Sequence, residues 1–264
     1  MATTTVDGLR IAYERAGRGP PLVLLHGYVG DGRASWHPQL DGLSDEFTVI
    51  AWDAPGAGGS SDPPEAFGIS GYADCLAGFI EELGLVDPSI VGLSFGGILA
   101  LELCHRHPAV ARRLVLASAY AGWVGSLSAT VSEQRLQQAF VLAELTPDEF
   151  VATLLPTIFT EGTPSGSVEA FEASMRAFNP AGFREMARAS AVDLRDVLPR
   201  ISVPTLLVYG DHDVRAPLPV AEHLHGAIAG STLVLLPGVG HACNIEAPEA
   251  FNEAVRRFLR ITAA

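Results

Sequence analysis

Gly92-Leu93-Ser94-Phe95-Gly96 sets a serine between two glycines, directly after the apolar run Ile90–Leu93 and directly before a stretch of helical spacing from Gly97 to His107. A strand, a sharp turn and a helix in that order thrust the serine side chain out beyond the edge of a sheet. The glycines belong there because a Cβ at either position would meet the neighbouring strand or helix. A serine hydroxyl is a weak nucleophile at neutral pH, so it needs a base within hydrogen-bond reach and a carboxylate that holds the base in one tautomer. Gly210-Asp211-His212-Asp213 follows the apolar run Thr205–Tyr209, and Gly240-His241 comes shortly after Thr232–Leu236. Loops that follow parallel strands gather at one sheet edge, so these acids and this imidazole are expected beside the serine. The chain order is Ser94, then Asp211 or Asp213, then His241, and the chemistry it would serve is acyl transfer.

The elements that must position these residues are legible as alternation. From residue 22 to about 118, short apolar runs, turns rich in Gly, Ser or Asp, and longer stretches at helical spacing repeat in turn, which is the βαβ signature. The runs Leu22–Leu25, Phe47–Trp52, Ile90–Leu93 and Leu114–Ala117 are apolar on both faces, as strands covered by helices must be. The pattern returns at Thr205–Tyr209 and Thr232–Leu236, with a last helix after Pro248 through Phe251, Val255 and Phe258. Upstream, Asp7-Gly8 suits a two-residue hairpin turn between Thr3–Val6 and Leu9–Glu14. The architecture expected is α/β, a mostly parallel central sheet with helices on both faces.

Between Gly122 and Val192 the strand runs stop and three or four helices are expected, with start signals at Thr146-Pro147-Asp148-Glu149 and Asn179-Pro180. The domain reading is therefore a core of residues 1–121 and 193–264, with 122–192 as a helical cap. That segment holds Phe140, Phe150, Phe159, Phe171, Phe178 and Phe183, which pack its helices together and also make the space beneath it largely apolar.

Composition removes other chemistries. The formal charge is −13 and all 17 cationic residues are Arg, which argues against a nucleic-acid partner and removes Schiff-base catalysis and any phosphate loop built on a Lys. Three cysteines, Cys75, Cys104 and Cys243, without C-x-x-C spacing suggest neither a disulfide framework nor a thiolate metal site. His105 with His107, and His223 with His225, lack accompanying acidic or Cys ligands in a metal pattern. No signal-like leader and no uncharged apolar run of about 18 residues is present, so a soluble, cytoplasmic protein without membrane association is expected. The sequence leaves the oligomeric state open.

With these motifs in place, the chain resembles the α/β-hydrolase family over nearly its whole length. His26-Gly27-Tyr28-Val29-Gly30 is similar to the family's oxyanion loop, and Asp53 through Ser60 to its D-x-P-G-x-G-x-S turn. Gly210 through Pro217 resembles G-x-x-D-x-x-x-P, which selects Asp213 over Asp211 as the acid. His241 through Asn252 is similar to the ending G-H-x-x-x-x-E-x-P-x-x-F-N. The resemblance implies an α/β-hydrolase fold with a cap, catalytic Ser94, Asp213 and His241, an oxyanion hole from the backbone N–H groups of Tyr28 and Phe95, and no cofactor. His26, Asp53 and Asp211 are expected to fix loop geometry. The Tyr28 phenol either faces the substrate or lids the core.

The resemblance also narrows the reaction. Ser at the nucleophile position forms an acyl-enzyme rather than the alkyl ester of dehalogenases and epoxide hydrolases, and no Tyr lies between 122 and 192 to protonate an epoxide. Ring-cleavage C–C hydrolases commonly carry Trp after the catalytic His, where this chain has Ala242. The expectation is a serine esterase or lactonase, resembling carboxylesterases, enol-lactonases and cofactor-free perhydrolases, acting on a small to medium, largely apolar ester or lactone. The alternatives are a C–C bond hydrolase and a slow, receptor-like binding protein. Among the arginines of the helical segment, Arg135, Arg176, Arg184 and Arg188 could bind a carboxylate if one pointed inward.

Overall fold

Asp7 and Gly8 both take positive φ, 48° and 83°, and so close the expected tight hairpin between β1 (Ala2–Val6) and β2 (Leu9–Ala16). The structure, a computed structural model, describes residues 1–260. β2 pairs antiparallel with β4 (Thr48–Trp52), and from there the pairing is parallel through β3 (Pro21–Leu25), β5 (Ser89–Leu93), β6 (Arg113–Ala117), β7 (Thr205–Gly210) and β8 (Thr232–Leu236). The eight strands lie in the order β1-β2-β4-β3-β5-β6-β7-β8.

Side chains alternate across the sheet and therefore feed two cores. Val23, Leu25, Ile50 and Trp52 join Phe79 and Ile98 of α2 (Gly68–Glu82) and α3 (Phe95–Arg106). Leu22, Leu24, Val49 and Ala51 join Trp36 and Leu40 of α1 (Gly32–Gly42) on the other face, together with three residues near the end of the chain. Those three are Phe251, Val255 and Phe258 of the last helix (Pro248–Arg260), the positions expected from their spacing. β3 through β7 are buried along almost their whole length, whereas the edge strand β8 buries only Leu236. Burial of both faces explains why the inner strands read as unbroken apolar runs.

The segment between β6 and β7 contains helices and no strand among the described residues. α4 (Trp123–Ser126) is a single turn, followed by α5 (Ala129–Leu142), α6 (Pro147–Leu154), α7 (Ser165–Arg176) and α8 (Pro180–Ser190). The count is thus five rather than three or four, the additional one being the four-residue turn after Gly122, whose φ of 72° suits glycine. Thr146 and Glu149 form a reciprocal capping box, and Asn179 accepts from the N–H groups of Ala181 and Gly182 ahead of Pro180. Phe150 stacks on Phe178 at 3.9 Å, and both meet Phe183 edge-on, so these rings mainly hold α6 and α8 together. Gly182 of α8 packs backbone to backbone against Gly56, where a side chain on either would overlap the other. After β7 come α9 (Leu218–Ala227), and after β8 the short α10 (Cys243–Glu246) and α11 (Pro248–Arg260). Among the described residues, no helix is long and apolar enough to cross a membrane.

Candidate active site

Ser94 sits at the step from β5 to α3 with φ 53° and ψ −109°, a backbone state that costs a non-glycine residue about 1–3 kcal/mol. Its neighbours show why the turn is built from small residues. A Cβ on Gly92 would overlap the Gly96 carbonyl, and a Cβ on Gly96 would overlap the carbonyl of Leu25 in β3. The Ser94 N–H donates to the Ala117 carbonyl at the end of β6 (2.9 Å), which fastens the turn to the sheet. The residue is 6 % exposed, and its hydroxyl makes no hydrogen bond among the described residues.

Asp213 and His241 are joined directly. His241 Nδ1 lies 2.9 Å from Asp213 Oδ2 and 3.1 Å from Oδ1, in buried surroundings. An ionised carboxylate can only accept, so Nδ1 carries the proton and Nε2 is left with its lone pair. Asp213 Oδ1 also accepts the backbone N–H groups of Arg215 and Ala216, both at 2.8 Å. Burial opposes its charge, yet the adjacent imidazole and these donors hold the Asp213 carboxyl below the usual carboxylate range. Asp211 instead accepts the Gly238 N–H and braces the loop after β8.

The His241 loop is gripped from the helical segment. The N–H groups of His241 and Ala242 both donate to the Ile158 carbonyl, at 3.0 and 3.2 Å. Glu246 accepts from Gly240 N–H through one carboxylate oxygen and from Thr160 N–H, Thr160 Oγ1 and Thr163 Oγ1 through the other. Glu246, the acid of the His241–Asn252 motif, thus ties this loop to residues 160–163.

Gly27 faces the serine: a Cβ built there would lie 3.8 Å from Ser94 Cβ. The backbone N–H groups of the next residue, Tyr28, and of Phe95 donate to no acceptor among the described residues, though both residues are buried. His26 accepts the Ala54 N–H at Nε2 and therefore donates from Nδ1 to the Gly27 carbonyl. Burial pushes the His26 imidazole down, against the pull of Asp53, so it stays neutral as a loop brace. Asp53 accepts from Gly32 and Gly59 N–H, one per oxygen, and braces the adjoining turns. The loop-fixing expectations for His26, Asp53 and Asp211 agree with these bonds.

The five expected site residues thus lie at the carboxyl edge of the sheet, Phe95 as the first residue of α3 and the others on loops or turns, with Asp213 and His241 in contact and no hydrogen bond between His241 and Ser94 among the described residues. The surroundings hold residues that sequence reasoning did not select. The Tyr120 ring lies 6.4 Å from the His241 ring, and burial pushes its phenol up to about 12, so it stays protonated. Tyr28 stacks on Phe183 at 5.0 Å and accepts from Arg215 at 2.6 Å, so it both packs and lines open space. Arg215 and Tyr120 carried no sequence signal, since their partners come from distant segments. The three cysteines are unpaired, and burial pushes each thiol up to about 12, which leaves them unreactive at neutral pH. Among the described residues, no group of three His, Cys, Asp or Glu is arranged to hold a metal ion.

Comparison with known proteins bears on the family and the fold. The sequence model of the alpha/beta hydrolase fold family matches residues 20–248. A pimeloyl-[acyl-carrier protein] methyl ester esterase of Neisseria meningitidis serogroup C is 32% identical over 260 residues, covering 90% of this chain and 93% of its own. A thermophilic esterase from Thermogutta terrifontis, solved with malate bound, superposes with a TM-score of 0.87 at 29% identity, over 98% of this chain and 96% of its own. The enol-lactonase from Burkholderia xenovorans LB400 gives 0.86 at 27% identity, over 98% and 99%.

Proposed function

This chain belongs to the alpha/beta hydrolase fold family, and on that premise we propose that it is a serine hydrolase cleaving a carboxylic ester or lactone through an acyl-enzyme. The observation that carries the reading is the buried Asp213–His241 pair, 2.9 Å between Oδ2 and Nδ1, on the edge that also bears the strained Ser94. The esterase and lactonase relatives support the same class of bond.

In this reading His241 Nε2 takes the Ser94 proton as Oγ attacks the carbonyl carbon, and Asp213 stabilises the imidazolium. The hydrogen bond from Ser94 to His241 closes when substrate enters, as catalytic hydrogen bonds commonly do. The carbonyl oxygen becomes an oxyanion held by the N–H groups of Tyr28 and Phe95, each such donor being worth about 3 kcal/mol of barrier. His241 then gives its proton to the departing alkoxide, which leaves the acyl group on Ser94. Water, deprotonated by His241, releases the acid and restores the hydroxyl. Residues 122–192 act as a cap that covers this edge and excludes water from it.

The test is hydrolysis of short-chain p-nitrophenyl esters by wild type and Ser94→Ala. Turnover in the first and its loss in the second are expected. Equal turnover in both, or none in either, contradicts the reading.

A further inference from the structure

Most arginines on the helices of this acidic chain are neutralised by acids: Arg184 meets Glu144, Arg188 meets Glu185 and Arg176 meets both Asp148 and Glu172. Arg135 and Arg215 differ. Both are half-buried, and neither has a carboxylate within 4.0 Å among the described residues. Arg135 donates from Nη1 to the Tyr120 hydroxyl (2.9 Å) and from Nη2 to the Arg215 carbonyl (3.1 Å). Arg215 donates from Nη1 to Thr157 Oγ1 (2.9 Å) and from Nη2 to the Tyr28 hydroxyl (2.6 Å). Every one of these acceptors is neutral, and each guanidinium has five N–H groups, so both keep donors to spare.

The two side chains line one cavity of about 580 Å³ between α5, α6 and the loop after β7. Its wall is otherwise largely apolar, with Leu142, Leu145, Leu154 and Val214, and it contains no Asp or Glu. Asp213, two residues before Arg215, has its oxygens taken by His241 and two backbone amides. Two cations against one committed anion leave a local charge of one positive unit. The rings of Tyr120 and Trp123 face Arg135 and that of Tyr28 faces Arg215, but none of them carries a countercharge, and a ligand anion would offset the cost of partly burying the two cations.

The geometry points to a carboxylate subsite: Arg135 and Arg215 receive a free carboxylate carried by the ester or lactone substrate, with the apolar wall holding the carbons between. A singly charged carboxylate balances the site, whereas a phosphate dianion would leave excess negative charge beside Asp213. Ser94 and His241 do not line this cavity themselves, and two tyrosines bonded to its arginines lead toward them. Tyr28, bonded to Arg215, follows the Gly27 that faces Ser94, and Tyr120, bonded to Arg135, lies beside His241. This inference rests on the hydrolase reading above, and names its substrate class as esters of dicarboxylic acids.

Two measurements test it, and they separate its failure from that of the hydrolase reading. The first compares kcat/KM for monomethyl adipate with that for methyl hexanoate, which has a similar chain but no charge. The anionic ester is expected to be favoured by about tenfold or more at low salt, through KM, and the preference should shrink as salt rises. In Arg135→Gln and in Arg215→Gln the ratio of the two should fall toward about one, because the charge-assisted bonds are gone. The second measurement uses unaltered protein: adipate should raise its melting temperature more than neutral adipamide does. Hydrolysis of both esters without preference, together with equal shifts from adipate and adipamide, overturns the subsite and leaves the hydrolase intact. Protection by adipate with neither ester turned over supports the subsite and contradicts the hydrolase reading.

Discussion

The loops at the sheet edge and the helical segment 122–192 are held by different kinds of force. In the loops, backbone groups are the partners: Ser94 N–H to Ala117, His26 to Gly27 and Ala54, Asp53 to Gly32 and Gly59, Asp213 to Arg215 and Ala216. In the helical segment, side chains pack on side chains, as in the Phe150, Phe178 and Phe183 cluster. Backbone bonds and glycine contacts tolerate few residue types, while an aromatic cluster tolerates many of about the right volume. The difference teaches that Ser94, Asp213 and His241, the groups proposed to react, are fixed by a frame with little freedom, and that the helical segment has more freedom to vary.

The sharpest break of that frame is Asp213→Asn. Asn keeps the shape and loses the acceptor that fixes the His241 tautomer, so kcat should fall by about 10⁴-fold with KM nearly unchanged in steady-state assays. A fall of less than about tenfold would mean that the His241 proton is placed by another group.

Phe150→Ala should cost about 3–5 kcal/mol in urea unfolding, because a fully buried ring between Phe178 and Phe183 is lost. If the two regions are as distinct as their bonding, the surviving folded protein still hydrolyses esters, with the larger change in KM. A kcat loss comparable to that of Asp213→Asn would show instead that the frame depends on the helices.

Glu246→Gln tests one of the places where the two regions are tied. The amide puts a donor where Thr160 and Thr163 also donate, so the His241 loop loosens. A loss of about 2 kcal/mol in stability is expected, and a roughly tenfold lower kcat. Unchanged values would mean that the Ile158 carbonyl alone holds the loop.

The smallest effect comes from His26. Because burial lowers its proton affinity, the unfolded chain takes up a proton below about pH 6.5 that the folded chain refuses. This contribution is therefore intact above that pH and declines as the solution is acidified toward the folded value, by at most about 1.4 kcal/mol per pH unit. The denaturation midpoint should fall less steeply between pH 6.5 and 5 in His26→Gln than in wild type. Parallel slopes would contradict a neutral, buried His26.

The same contrast explains what could be read from the chain. The inner strands were legible because burial on both faces demands unbroken apolar runs, and the Ser94 turn because only glycine fits at 92 and 96. Asp213 was separable from Asp211 only through the family pattern, since both follow β7 within four residues. The helices of segment 122–192 were legible at their caps, Thr146 and Asn179, but α4 was not, being one turn held by its surroundings. Arg188 and Arg176 have acids one turn away on their own helices, Glu185 and Glu172, whereas Arg135 could not be told from Arg184, whose acid Glu144 lies 40 residues away in the chain. Arg215 and Tyr28, 187 residues apart, meet only in the fold.

The central claim is that Ser94 is activated by His241, and an alkyl fluorophosphonate reports on both at once. Peptide mapping after brief labelling should find one adduct, on Ser94, with labelling abolished in Ser94→Ala and slowed at least a hundredfold, on the order of what a general base supplies, in His241→Gln. An adduct on another residue, or equal labelling rates with and without His241, would contradict the account.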